Sequence, residues 1–266
     1  MTIAIGINFG TYVLLAVDTR VSRPNWIRDN TTDQRVPLYY EDDQVKIHKI
    51  KPGLITGAGI MDLLGLVEDR LQGEVSNTEQ IENIVKAERR HYLNIIKERA
   101  VHASWLGLTE EQYIEYINYE IEHTGWILSY GTTVNQNNKL RLGMIHPEFG
   151  DRLIKWPEND PAVIWPSGMT KEVAKDINSK FFQPYIKPVE KFEILDNGSL
   201  DASIHVQHHV DLIDKIIRGL QPVFPSISLN FRIGIHMVDG VKGISSIMKA
   251  TGSDSPTPIK WEWTYG

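Results

Sequence analysis

The first strand-like stretch, TIAIGI at residues 2 to 7, constrains the fold more than any other part of the chain. Ile3, Ile5 and Ile7 alternate with Thr2, Ala4 and Gly6. A period of two belongs to a β-strand, so one face is greasy and the other is narrow. Asn8, Phe9, Gly10 and Thr11 supply a turn, and Tyr12 to Val17 is a second apolar, β-rich run. The pair reads as a hairpin. A turn centred on Gly10 would set Thr2 directly across from Asp18 and bring an acid to the start of the chain.

Beyond the hairpin, Val21 to Glu41 is polar and holds Pro24, Asn30 and Pro37, the composition of a long surface excursion. Strand signals return at Gln44 to Ile50, and GLITGAG (Gly53 to Gly59) predicts a buried strand running into a glycine-rich turn. Helical spacing follows at Met61 to Leu71, Thr78 to Ala103 and Glu110 to Glu122, with Asn77 and Thr109 placed as N-caps of the last two. The period then reverts: WILSYG and LRLGMI flank turn residues Asn135 to Asn138 as a second hairpin. Ala162 to Trp165 predicts a short strand, Thr170 to Phe182 and Ser203 to Leu220 helices, and Ser228 to Val238 a final strand. The stretch 251–266, with Pro256, Pro258, Trp261 and Trp263, reads as an irregular tail. No repeat or linker divides the chain. The expectation is one α+β domain over residues 2–250, with helix layers on antiparallel sheets.

Composition narrows the function. The chain has 266 residues and no cysteine, which removes disulfides, thiolate metal sites and cysteine nucleophiles and fits a reducing cytoplasm. A formal net charge of -6 and a pI near 5.9 argue against nucleic acid as a partner. No apolar run approaches the roughly 20 residues of a membrane span, and the start lacks a signal-peptide pattern. The expectation is a soluble, cytoplasmic, mature-length protein that needs no cofactor. His205, His208 and His209 could put at most a pair on one helix face, so surface histidines are expected rather than a metal site. Asp42, Asp43 and the glutamates of the 110–122 helix read as solvated faces.

Thr2 is small enough for an aminopeptidase to remove Met1. The residue would then carry a hydroxyl and a free α-amine, and an amine with a pKa near ~8 can take the hydroxyl's proton at working pH. A nearby lysine would depress that amine's pKa, and a carboxylate such as Asp18 would hold the lysine charged. VKIHKI offers Lys46 and Lys49 on opposite faces of a strand, and alternation alone does not choose between them.

Thr2-x-Ala4-x-Gly6, the triplet Asp18-Thr19-Arg20, Lys46 four before Ile50, and Gly57-Ala58-Gly59 leading to Asp62 together resemble the catalytic β-subunits of the proteasome and their bacterial relatives. LGMIHPEFG (Leu142 to Gly150) and Pro166-Ser167-Gly168 are weaker matches to the same family, and the likeness spans roughly residues 2 to 245. The resemblance selects Lys46 over Lys49. It implies an N-terminal nucleophile (Ntn) hydrolase fold, a four-layer αββα sandwich of two antiparallel sheets flanked by helices. By the same resemblance, Thr2 would be the nucleophile, Asp18 the orienting acid, Lys46 the lysine and Ser167 a proton-relay serine. Backbone NH groups at Gly57, Ala58 and Gly59 would form the oxyanion hole, with Thr19 beside the substrate pocket. The implied activity is a threonine peptidase acting on peptides or unfolded proteins. The implied assembly is a ring enclosing a chamber, and the need for an unfolding ATPase partner is not written in the residues. Departures from the family pattern are Pro166 in place of a glycine and Gln221 to Ser226, where an Asp-x-x-Ser-Gly element is expected and no acid is present. With no propeptide beyond Met1, activation would rest on an aminopeptidase. Two other readings fit: a non-catalytic subunit of the same fold, and an amidohydrolase acting on a small amide.

Overall fold

The thick and thin faces of the first strand end up against different layers of the molecule. The computed structural model describes residues 2–10, 12–23, 39–41, 44–71, 75, 77–134, 137–166, 169–182, 184, 186, 204–239, 242–251 and 260–264. Its strands are β1 (Ala4–Asn8), β2 (Tyr12–Asp18), β3 (Val21–Arg23), β4 (Tyr39–Glu41), β5 (Ile47–Ile50), β6 (Gly53–Ala58), β7 (Gly125–Val134), β8 (Asn137–Ile145), β9 (Leu153–Trp156), β10 (Ala162–Ile164), β11 (Phe231–Asp239), β12 (Lys242–Thr251) and β13 (Lys260–Thr264). Its α-helices are α1 (Met61–Leu71), α2 (Thr78–Ala100), α3 (Glu110–Glu122), α4 (Lys171–Ile177) and α5 (Ile204–Leu220).

One sheet has six strands in the order β10-β1-β2-β11-β12-β13, and the other has five in the order β5-β6-β7-β8-β9. Neighbouring strands in both are antiparallel. Three apolar cores stack through the molecule. Ile3, Ile5 and Ile7 pack outward with Val210, Ile213 and Ile217 of α5. Ala4, Leu15 and Val17 face inward across Ile47, Leu54, Ile127 and Leu142 of the second sheet. The far side of that sheet, through Ile55, Trp126 and Leu128, meets Leu63 and Val67 of α1, Val85 and Tyr92 of α2, and Ile117 and Ile121 of α3. The result is the four-layer αββα sandwich. The thin face of β1 is explained by the second sheet: a Cβ on Gly6 would sit 2.6 Å from Ile127 Cγ2 and 2.9 Å from Leu142 Cδ1. Large residues there would hold the sheets apart.

The helices begin where the caps predict. Asn77 Oδ1 accepts from Gln80 N at 2.9 Å, and Thr109 and Gln112 form a reciprocal capping box. Helix α2 stops at Ala100 rather than Ala103, and a short 3₁₀ turn, Ala103–Leu106, follows.

Several sequence expectations need correction. The hairpin register differs by one residue: Ala4 stands opposite Val17 and Asn8 opposite Val13. Phe9 N donates to Tyr12 O at 2.9 Å, so the register is not that of a turn centred on Gly10. Asp18 therefore falls opposite Ile3, to whose carbonyl its amide donates at 3.4 Å, and not opposite Thr2. The stretch 251–266 is not wholly irregular, because β13 pairs with β12 through Thr251 to Lys260 and Ile247 to Thr264. β12 itself extends the late strand into a hairpin with β11. His209 is not a surface residue: it is buried, its Nδ1 lies 3.0 Å from Tyr12 Oη, and its ring stacks on Phe9. The side chains of His205, His208, Trp261 and Trp263, together with Asp42 and Asp43, lie outside the described residues. Among the described residues no helix is long and apolar enough to cross a membrane.

Candidate functional site

Three strand ends converge. Thr2 enters β1, Asp18 closes β2 in the same sheet, and Lys46 leads into β5 of the other sheet. Lys46 Nζ donates to Thr2 Oγ1 at 2.7 Å and lies 3.6 Å from Asp18 Oδ2. It also donates to the Arg20 carbonyl. The three side chains are only 4%, 0% and 3% exposed for Thr2, Asp18 and Lys46, so the ammonium is removed from water and depends on these oxygens. Lys49, the other lysine of the strand, is exposed. The choice that alternation left open is made by burial.

Asp18 is held on several sides. Ile3 N donates to Oδ1 at 3.0 Å, while Arg20 N and Ser228 N donate to Oδ2 at 3.1 and 3.4 Å. Burial pushes its carboxyl upward from the ordinary carboxylate range; the Lys46 charge and the Ile3 and Ser228 amides pull the other way. A buried acid with this many donors is a fixed counter-charge rather than a mobile proton carrier.

The loop before β11 closes the site from behind. Arg20 Nη1 donates to Pro225 O at 2.7 Å, and Thr19 donates through both its amide and its Oγ1 to Asn230 O, at 3.0 and 3.2 Å. Thr19 is fully buried here. Ser226 lies in the same loop with its Oγ buried and without a hydrogen-bond partner among the described residues. Sequence reasoning passed over Ser226 and Ser228. Ser228 acts through its backbone amide, which no side-chain pattern reveals. Ser226 carries its hydroxyl in a segment without periodicity.

Gly57 and Ala58 end β6, paired with Trp126 and Gly125 of β7. Thr56 Oγ1 donates to Lys46 O at 2.8 Å, which ties the glycine turn to the lysine. Gly59 has φ +127°, and a Cβ there would sit 2.2 Å from Thr124 Oγ1. Only glycine fits. Thr124 Oγ1 in turn accepts from Ile60 N at 3.0 Å and donates to Glu120 O at 2.8 Å, fastening the turn to α3. Ser167 lies outside the described residues. The cap of α4 is Thr170, whose Oγ1 accepts from Val173 N at 3.3 Å.

Among the described residues no group of three or more His, Asp or Glu side chains could hold a metal ion. The arrangement offers a hydroxyl, an ammonium directed at its oxygen, and a carboxylate fixing the ammonium. Such a constellation can stabilise an alkoxide at Thr2 Oγ1.

No protein-family model and no curated protein sequence matches the chain. Among solved structures, the Gly-1 mutant of Anbu from Hyphomicrobium sp. strain MC1 superposes with a TM-score of 0.49 at 14% identity, covering 96% of this chain and 89% of that one. Anbu, described as an ancestral beta-subunit, from Yersinia bercovieri superposes with a TM-score of 0.47 at 14% identity, covering 92% and 87%.

Proposed function

We propose that the chain is an N-terminal threonine hydrolase that cuts peptide bonds once Met1 is removed. The observation that carries the reading is the buried contact of Lys46 Nζ with Thr2 Oγ1, backed by Asp18. Thr2 Oγ1 attacks the carbonyl carbon and its proton passes to the freed α-amine. Lys46 stabilises the charge on the hydroxyl oxygen, and backbone amides at Gly57 to Gly59 receive the substrate oxyanion. Collapse expels the amine product, which takes up the proton, and leaves an ester on Thr2. Water then attacks that ester and regenerates the hydroxyl.

The motif resemblance extends the proposal to peptides or unfolded proteins as substrates and to self-association into a ring. One observation favours the non-catalytic reading: Gln221 to Ser226 holds no acid, and the Ser226 hydroxyl has no partner among the described residues. Intact mass and covalent trapping decide between the two. Protein from its native host is expected to lack Met1 and to gain one β-lactone or epoxyketone adduct at Thr2, absent in Thr2→Ala. Quantitative retention of Met1 rules the mechanism out. Processed protein that takes no adduct leaves the structural subunit.

A further inference from the structure

The turn that carries Gly57 to Gly59 is backed by Thr124, and Thr124 is itself held at every polar atom. Its amide donates to Ile121 O at 3.1 Å, and its hydroxyl bridges Ile60 N and Glu120 O. Its carbonyl accepts from Arg89 Nη2 at 3.0 Å. The clearance in front of it is small: a Cβ on Gly59 would stand 2.5 Å from Thr124 Cα and 2.6 Å from its Cβ. A shift of Thr124 therefore moves the turn.

Arg89 comes from the middle of α2, on the face that also buries Val85 and Tyr92, and it is only 8% exposed. An arginine withdrawn from water needs partners for its whole fork. Nε donates to Asp151 Oδ2 at 2.9 Å and Nη1 to Ile121 O at 2.8 Å, beside the Nη2 bond to Thr124 O. The two carbonyls lie where α3 ends, and a final helical turn leaves its carbonyls short of intrahelical donors. Cζ also stands 5.4 Å from the centroid of the Trp126 ring. Trp126 is the partner of Gly57 in the sheet, and a Cβ on Gly57 would lie 3.1 Å from Trp126 Cδ1. One planar group thus supports both ends of the glycine turn. Packing of α2 on α3 alone would be served by an apolar side chain, without the desolvation of a charge. What the guanidinium adds is direction.

Resting on the hydrolase reading above, we infer that Arg89 is a positioning residue: locked by Asp151, it fixes Thr124 and so holds the amides of the glycine turn in the aim that receives the substrate oxyanion. Preorganised donors stabilise developing charge only while their direction is kept. Loss of the fork leaves Thr2, Asp18 and Lys46 untouched and slackens the turn.

Hydrogen exchange resolved by residue tests the link without turnover. Arg89→Met should speed exchange at the Ile60 and Thr124 amides and leave β1 and β2 as in the wild type. With covalent trapping as the second readout, the maximal rate at which a β-lactone acylates Thr2 should fall roughly a hundredfold. The concentration giving half that rate should change little. Thr124→Val, which removes the hydroxyl and keeps the shape, should have the same effect on acylation, and Thr124→Ser should keep most of the wild-type rate. Because Arg89 acts on the turn chiefly through Thr124, Arg89→Met combined with Thr124→Val should be little worse than either alone. Should Arg89→Met fail to fold, Asp151→Asn and Thr124→Val carry the test with α2 intact. Unchanged exchange at Ile60, acceleration spread evenly over both sheets, or fully additive losses in the double variant overturn the inference. Exchange that responds at Ile60 in a protein whose Thr2 takes no adduct would instead sink the hydrolase reading and leave the tie between Arg89 and the turn standing.

Discussion

At the residue scale, the decisive pair is Lys46 and Asp18, two opposite charges withdrawn from water and 3.6 Å apart. Removing one partner leaves the other buried and alone, at a cost of about 3–5 kcal/mol. Lys46→Met should therefore lose both stability and any hydrolysis. Lys46→Met combined with Asp18→Asn should recover much of the stability and none of the activity, as denaturant melts beside a probe assay would show. Equal stability loss in the single and double variants would mean that the two charges are not coupled. A second residue-scale prediction concerns His236, whose Nδ1 lies 3.0 Å from Ser129 Oγ between the sheets. Burial lowers its pKa from 6.5 to about 4. The unfolded chain thus binds the proton more tightly, so this contribution is complete above pH 6.5 and is lost as pH falls through 4. At about 1.4 kcal/mol per unit the full span is on the order of 3 kcal/mol. His236→Gln should flatten the wild-type stability slope across that window. Thr2, Asp18 and Lys46 were legible because their chemistry and order are distinctive; the Asp18 clamp by Ser228 was not, since a main-chain amide leaves no mark on the alphabet.

At the element scale, β1 explains why the sequence reads as it does and where reading fails. Its two faces were visible as alternation, and the structure assigns the isoleucines to α5 and the small residues to the second sheet. Ile5→Ala should destabilise by about 2–5 kcal/mol through an unfilled cavity. Gly6→Val should also destabilise, by forcing Ile127 and Leu142 away, at about 1–3 kcal/mol or more. Thermal melts of the pair distinguish a void from a wedge, because a second substitution, Ile127→Ala, should rescue Gly6→Val and worsen Ile5→Ala. The hairpin register escaped prediction because alternation fixes which residues share a face within a strand but not where the turn closes. That depended on where the chain turns back, with Gly10 at φ +84° and Asn8 opposite Val13. Helices were read more closely, since Asn77 and Thr109 mark their starts chemically. β13 was missed because its pairing with β12 is a contact between separate segments, and the intervening prolines dominated the local signal.

At the scale of the whole molecule, β13 covers the outer edge of β12 from Ile247 to Thr251. Ending the chain after Thr251 should expose that edge to strand addition by other copies. Light scattering on heating is expected to rise earlier for the truncated chain than for the full one, while the far-UV spectrum stays nearly unchanged. Identical scattering curves would show that the β12 edge is protected by other means.

Thr2 and Asp18 belong to one sheet and Lys46 leads into a strand of the other. Neither half of the sandwich holds all three side chains, so on the proposed hydrolase reading turnover can start only after the two leaves have docked. A chain wired this way would stay inert until its sheets have packed together.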